Sequence, residues 1–118
     1  MQTVVLDTNA LLMPFELGLN LDIMVRNVLG DARMVIPEPL LGELEASRSK
    51  HAKAALGLAG KYERIATTAR GDDAVIEAAL AVEGIVLTND RELRRRLRGL
   101  GVPLLFLRSG NHLVLEEL

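Results

Sequence analysis

The residues best suited to chemistry are acids placed at the ends of apolar runs. Asp7 directly follows the β-branched run Thr3-Val4-Val5-Leu6, and Asp90 follows Ile85-Val86-Leu87 across Thr88 and Asn89. Asp72 and Asp73 open a helical stretch that leads into Ile85-Val86-Leu87, and Glu43 lies in the helix after Met34-Val35-Ile36. In open α/β sheets ligands gather at the carboxyl ends of the strands. If the strands are parallel, Asp7 and Asp90 share one end of the sheet, and the helix opened by Asp72 and Asp73 starts on that side. Carboxylates from four separate parts of the chain can then converge. Such a cluster is costly by like-charge repulsion unless cations neutralise it. Hard oxygen ligands favour Mg²⁺ or Mn²⁺.

Each acid also has a purely structural role open to it. Asp7 can begin a turn. Asp72 can cap its helix and Asp73 can favour the helix dipole. Asn89 with Glu92 resembles a capping pair, which leaves Asp90 a first-turn acid. Leu40, Leu41 and Leu44 define one apolar helix face flanked by both Glu43 and Glu45, and periodicity does not choose between them.

The elements that must position these acids follow from the apolar pattern. Strands are expected at Thr3–Leu6, Met34–Ile36, Ile85–Leu87 and Leu104–Leu107, with an edge strand from His112 to Leu115. Ala10 to Leu17 reads as a short helix broken near Pro14 and ended by Gly18. Leu21 to Leu29 has helical spacing and stops at Gly30. Pro39 suits the first turn of a helix running to about Ser47. Ala52 to Gly60 is a further helix, Tyr62 to Ala69 reads as a short strand and a loop, and Gly71 to Glu83-Gly84 is a strong helix. An arginine-rich helix then runs from Thr88-Asn89-Asp90 to Gly99. Strands alternating with helices imply right-handed crossovers and a parallel sheet covered on both faces. Met13-Pro14-Phe15 is expected to pack in the core, as is Phe106.

Composition narrows the function classes. The chain has 118 residues, enough for one domain with a core of its own, and 49% of them are apolar. It has no cysteine, which excludes a disulfide framework, a cysteine nucleophile, an iron–sulfur cluster and a zinc ribbon. No apolar run is long enough to span a bilayer, and Met1-Gln2-Thr3 lacks the features of a signal peptide, so a soluble cytoplasmic protein is expected. Net charge is −2, yet five arginines lie between Arg91 and Arg98 against the single acid Glu92. A protein that holds both cations and a polyanion needs both signs in separate patches. Arg91, Arg94 and Arg95 start beside Asp90 and are candidates for gripping phosphates; the alternative is a solvated face with ion pairs such as Glu92–Arg96. His51 and His112 are the only histidines and are read as surface or structural residues.

Taken together, the ordered set resembles the PIN-domain ribonuclease family from Val4 to about Leu107. Its parts are the strand ending Asp7-Thr8-Asn9, the helix Leu41-Gly42-Glu43-Leu44, the helix opening Asp73-Ala74-Val75-Ile76 and the strand ending Thr88-Asn89-Asp90. The Gly71-Asp72-Asp73 junction and the Arg91–Leu97 helix look most like archaeal Fcf1-like PIN proteins, related to a ribosome-processing nuclease. Toxin members of toxin–antitoxin pairs are the neighbouring alternative. The resemblance implies a three-layer α/β/α, Rossmann-like fold with a central, mainly parallel sheet, formed by one domain over residues 1–118. It carries the family's catalytic acids onto Asp7, Glu43, Asp73 and Asp90, with Asp72 as an added metal ligand. Thr8, Asn9, Thr88 and Asn89 match supporting positions. It further implies Mg²⁺ or Mn²⁺ and RNA, single-stranded or a structured ribosomal precursor, as substrate. A homodimer, an antitoxin or a ribosome-assembly partner would be its associates.

Rival readings fail on particular residues. A dinucleotide-binding domain needs a glycine-rich loop where Asp7-Thr8-Asn9 stands. A receiver domain needs a late lysine, for which Arg108 is a poor substitute. A phosphatase of the aspartate-nucleophile class needs a second aspartate where Asn9 stands. A non-catalytic RNA-binding or assembly module stays open, since it would keep the fold and use the acids only structurally.

Overall fold

The computed structural model describes residues 1–117. In chain order the elements are β1 (Gln2–Leu6), α1 (Thr8–Leu17), α2 (Leu21–Leu29), β2 (Ala32–Pro37), α3 (Pro39–Ala46), α4 (Ala52–Ala59), β3 (Glu63–Ile65), α5 (Gly71–Val82), β4 (Ile85–Leu87), α6 (Arg91–Gly99), β5 (Leu104–Arg108) and β6 (His112–Glu116). The strands form one sheet in the order β3-β2-β1-β4-β5-β6. Neighbours from β3 through β5 are parallel, and β6 returns antiparallel to β5 with Leu105 opposite Leu115. Consecutive residues of a strand point to opposite faces. Val4, Val5 and Leu6 are all fully buried, as are Val86 and Leu87, so both faces of the central strands are covered. This is the α/β/α architecture expected of strands written as continuous apolar runs.

The order reverses between β1 and β4: from β1 the chain moves outward to β2 and β3, then crosses back through α5 to β4. A crevice opens at such a switch point, at the carboxyl ends of the two diverging strands. Val4 pairs with Ile85 and Leu6 with Leu87, so both strands end level and deliver Asp7 and Thr88 side by side.

Three local expectations are corrected. The first helix is unbroken through Pro14 and begins at Thr8, because the Asp7 side chain caps it by accepting from the Ala10 N–H at 2.7 Å. Pro14 removes a single backbone donor, and the helix ends only at Gly18, in the left-handed region at φ 68°. The cap of α6 is Asp90, whose Oδ1 accepts from the Leu93 N–H at 2.8 Å; Asn89 is not the cap. The Met13-Pro14-Phe15 cluster is split: Met13 is buried, whereas Phe15 is exposed. Phe106 is half-buried, packed against the core with the Arg94 guanidinium 4.8 Å above its ring.

Gly84 sets the approach of α5 and β4 to β1. A Cβ at this position would stand 3.0 Å from the Thr3 carbonyl oxygen and 3.0 Å from Val82 Cγ2. The backbone oxygen cannot rotate aside, so a methyl group there pushes β4 away from β1. Gly84→Ala is expected to lower unfolding stability by about 1–3 kcal/mol, measured by urea denaturation. An unchanged midpoint would show that the contact is not tight.

Candidate active site at the switch point

Asp7 is the centre of the crevice. It is buried at 5% exposure and, with fully buried Thr88, is one of two buried polar residues among the described residues. Its Oδ1 holds the first turn of α1, and its Oδ2 accepts from the Thr88 hydroxyl. That hydroxyl oxygen also accepts from the Asp90 N–H at 3.0 Å, so Thr88 links the two aspartates. Asn9 and Asn89 fasten the same corner. Asn9 Oδ1 accepts from the Asn89 N–H at 2.9 Å, tying α1 to the end of β4, and Asn89 Oδ1 accepts from the Leu107 N–H at 2.7 Å, tying it to β5. Three of the four expected supporting residues therefore position the aspartates; Thr8 makes no side-chain hydrogen bond among the described residues.

The electrostatics show strain where a cation would relieve it. Burial pushes the Asp7 carboxyl from 3.8 up to about 7. The hydrogen bonds from Thr88 and Ala10 oppose this shift, and the charges of Asp72 and Asp90 add to it. Asp72 is also held above the usual carboxylate range, first by desolvation and then by Asp90, with Arg96 pulling the other way. Asp7, Asp72 and Asp90 are thus drawn into one field.

Asp73 adds its charge to the field at Asp72 but is engaged by a cation. Its Oδ1 accepts from the Arg96 guanidinium at 2.6 Å, and its side chain is 66% exposed. Glu43 reaches across from α3 and accepts from the Gly71 N–H at 2.9 Å, at the first residue of α5 and next to Asp72. Glu45 is exposed and makes no such contact, so geometry separates the two glutamates that periodicity could not.

Among the described residues no group of three His, Cys, Asp or Glu side chains is assembled to hold a metal ion. The donor set nevertheless fits a hard cation. Each carboxylate oxygen has two lone pairs, so Asp7 and Asp90 keep acceptor capacity beyond the bonds described. Asp72 and Asp90 are exposed, and the second oxygen of Asp90 is not used by the α6 cap. A divalent cation would offset the desolvation, and the smaller repulsion from Asp72 and Asp90, that raise Asp7.

The arginine helix divides its charges. Arg95 pairs with Glu92, its Nε 3.1 Å from Oε2, in place of the expected Glu92–Arg96 pair, because Arg96 is taken by Asp73. Arg98 pairs with Glu116 at 2.6 Å. Arg94 stacks on Phe106 and its buried Nε has no partner. Arg91 is exposed and forms no ion pair among the described residues. Exposed pairs of this kind are weakened by solvent and salt screening.

A second feature adjoins the acids. An open cleft of about 690 Å³ lies between α3 and residues 66–70, with Glu43 in its lining. Sequence reading missed its residues Gly42, Thr67, Thr68 and Arg70. The only signal was a basic residue, Arg70, immediately before Gly71-Asp72-Asp73.

A family model described as a PIN-like domain matches residues 4–110. The chain belongs to the PIN-like domain family. Among curated PIN relatives, it is 33% identical over 96 residues to Ribonuclease VapC9 of Archaeoglobus fulgidus, covering 75% of this chain and 71% of that one. Among solved structures, that of the PIN domain endonuclease Utp24 superposes with a TM-score of 0.84 at 25% identity, over 98% of this chain and 92% of the other. A domain of a functionally unknown protein from Methanocaldococcus jannaschii shares the fold alone, with a TM-score of 0.64 at 18% identity over 92% of this chain and 93% of that one. No helix among the described residues of this PIN domain is long and apolar enough to cross a membrane.

The buried Asp7 has a consequence for stability. Its folded-state pKa of about 7 exceeds the ordinary 3.8. The folded chain keeps a proton there that the unfolded chain has lost. Stability without metal therefore falls as pH rises from about 4 to about 7, by a total on the order of 4 kcal/mol. Asn keeps the helix-capping oxygen and carries no charge. Asp7→Asn is expected to melt at a higher temperature than wild type at pH 8 in chelator, and at a similar temperature at pH 4. A variant less stable than wild type at pH 8 would contradict the assigned burial cost.

Proposed function

We propose that this chain is a divalent-metal-dependent ribonuclease that hydrolyses internal RNA phosphodiester bonds. The observation that carries the reading is the desolvated Asp7 carboxyl at the β1/β4 switch point, in one field with Asp72 and Asp90. Its family membership and a relative named a ribonuclease support the same reading. Asp7 and Asp90 would hold the cation, Mg²⁺ or Mn²⁺, with a third carboxylate from the Asp72–Asp73 pair. Asp72 is favoured for that place, because Asp73 is engaged by Arg96. When bound, a divalent cation lowers the pKa of water and neutralises charge on the reacting phosphate.

The remaining work falls to the chain's own groups. The Thr88 hydroxyl fixes Asp7 Oδ2, so the carboxylate faces the crevice in one orientation. Glu43, anchored on the Gly71 N–H, orients the attacking water or helps to hold a second cation. Arg91 is free to grip a phosphate near the scissile bond, with Arg94 and Arg95 behind it. Attack by water on phosphorus, with departure of the 3′ oxygen, leaves a 5′-phosphate and a 3′-hydroxyl.

Processing of ribosomal RNA is the role we favour, on the resemblance of the Gly71-Asp72-Asp73 junction and the Arg91–Leu97 helix to Fcf1-like PIN proteins, and the likeness to the Utp24 endonuclease supports internal cleavage. A toxin-type role with an antitoxin partner is the second reading, favoured by the 33% identity to Ribonuclease VapC9. The two share the chemistry and differ in partner.

Cleavage of end-labelled, unstructured RNA tests the reading. Wild type is expected to cut with Mn²⁺ and to stop with chelator. Asp7→Asn and Asp90→Asn should lose roughly 100-fold or more of the rate. Asp72→Asn should cost more than Asp73→Asn. Undiminished cutting in chelator, or by Asp7→Asn, would defeat the metal mechanism. A larger loss from Asp73→Asn would assign the third carboxylate to Asp73.

A further inference from the structure

We propose that the cleft between α3 and residues 66–70 seats an unpaired nucleotide of the RNA strand next to the scissile bond, with Arg70 gripping its phosphate. The inference rests on the ribonuclease reading for the strand's destination, and its test reads RNA binding separately from cutting. The cleft measures about 690 Å³ and is lined by Glu38, just before α3, by Gly42 and Ala46 on α3, and by Thr67, Thr68 and Arg70 opposite. Sites for small organic ligands span roughly 300–1,000 Å³, so a base and its ribose fit.

The space is kept open by residue choice on one side and by hydrogen bonds on the other. Gly42 sits within α3, where glycine carries an entropic cost relative to alanine. A Cβ there meets nothing within 4 Å, so neither packing nor backbone geometry demands glycine. Its effect is to leave the wall low. The opposite wall is pinned by Glu77, which accepts from the Thr68 N–H at 2.9 Å, the Ala69 N–H at 3.0 Å and the Thr68 hydroxyl at 2.8 Å. The Thr67 hydroxyl donates to the Ala69 carbonyl at 3.0 Å. With these polar groups satisfied internally, the wall holds its shape without a ligand.

Charge fixes the direction of the strand. Arg70 is the one cation in the lining, and its side chain has no hydrogen-bond or ion-pair partner among the described residues. Glu38 and Glu43 lie on the α3 side and repel phosphate from it. The phosphate therefore sits at Arg70, while the ribose and base lie over Gly42 and Ala46. Glu43 lines the cleft and also bonds Gly71 beside Asp72, so the cleft runs directly into the acids. A base held in a duplex stack cannot enter, which selects single-stranded RNA. No aromatic side chain lines the cleft, so shape and phosphate contact outweigh base stacking.

The test is fluorescence anisotropy with a labelled, unstructured oligoribonucleotide, using the full chain in chelator so that nothing is cut. Gly42→Phe fills the cleft and Arg70→Ala removes the cation; each is expected to weaken binding about 10-fold. Arg70→Ala should also reduce the slope of log affinity against log salt by about 0.7, the share of one phosphate contact on a single strand. Gly42→Ala should bind as wild type, and a duplex of the same sequence should fail to compete. Arg70 is exposed, so its variant stays informative if Gly42→Phe melts early. Wild-type affinity in both Gly42→Phe and Arg70→Ala, or no RNA binding by wild type, overturns the proposal. If wild type cuts RNA while these variants bind normally, the cleft assignment fails and the nuclease reading stands. If binding depends on the cleft but Mn²⁺ elicits no cutting, the nuclease reading fails and the cleft stands.

Discussion

The arrangement depends on keeping one carboxylate out of water. Asp7 ends a strand whose last three residues are fully buried, and it has to serve as the cap of the helix that follows. Capping and strand pairing together fix its place so firmly that it cannot swing out to solvent. The charge is then stabilised only by the Ala10 N–H and the Thr88 hydroxyl, which fall short of hydration, and burial pushes its pKa to about 7. A group paid for in this way is a poor choice for a cap alone, because Asn or Ser would cap without the cost. Its burial makes sense as preparation for a cation.

The neighbouring groups follow from that constraint. Thr88 accepts from the Asp90 N–H and donates to Asp7, so the end of β4 cannot shift without moving both acids. Asn9 and Asn89 extend the same fastening to α1 and β5. Asp7 is the most buried of these acids, and Asp72 and Asp90 around it are exposed. A buried anchor with exposed partners suits a site that takes up an ion together with a substrate phosphate. Asp90 meanwhile caps α6, and Asp73 holds Arg96.

Much of this was legible because strand ends are written plainly in apolar runs. Val4 to Leu6 and Ile85 to Leu87 are unmistakable, and the acids after them fall at one edge once the strands are parallel. The choice between Asp72 and Asp73 was not legible. Adjacent residues on a helix diverge by roughly 100°, and the deciding contact comes from Arg96, on another helix. Family likeness pointed to Asp73, while the field around Asp7 includes Asp72. The strand Glu63–Ile65 was faint because an edge strand of three residues, none fully buried, leaves almost no periodicity. Pro14 looked like a break because a proline's local cost is visible in sequence, whereas the cap at Asp7 that sustains the helix depends on how β1 ends. The cleft was invisible for a similar reason: its wall is shaped by Glu77, a residue that reads as an ordinary helix surface glutamate.

The most direct measurement of the central claim is the titration of the Asp7 carboxyl carbon by NMR, with and without Mg²⁺. Without metal its midpoint should lie near 7. With saturating Mg²⁺ it should fall well below the ordinary aspartate range, as the cation displaces the proton. A midpoint near 4 under both conditions would mean that Asp7 is an ordinary solvated cap and that no cation site is built around it.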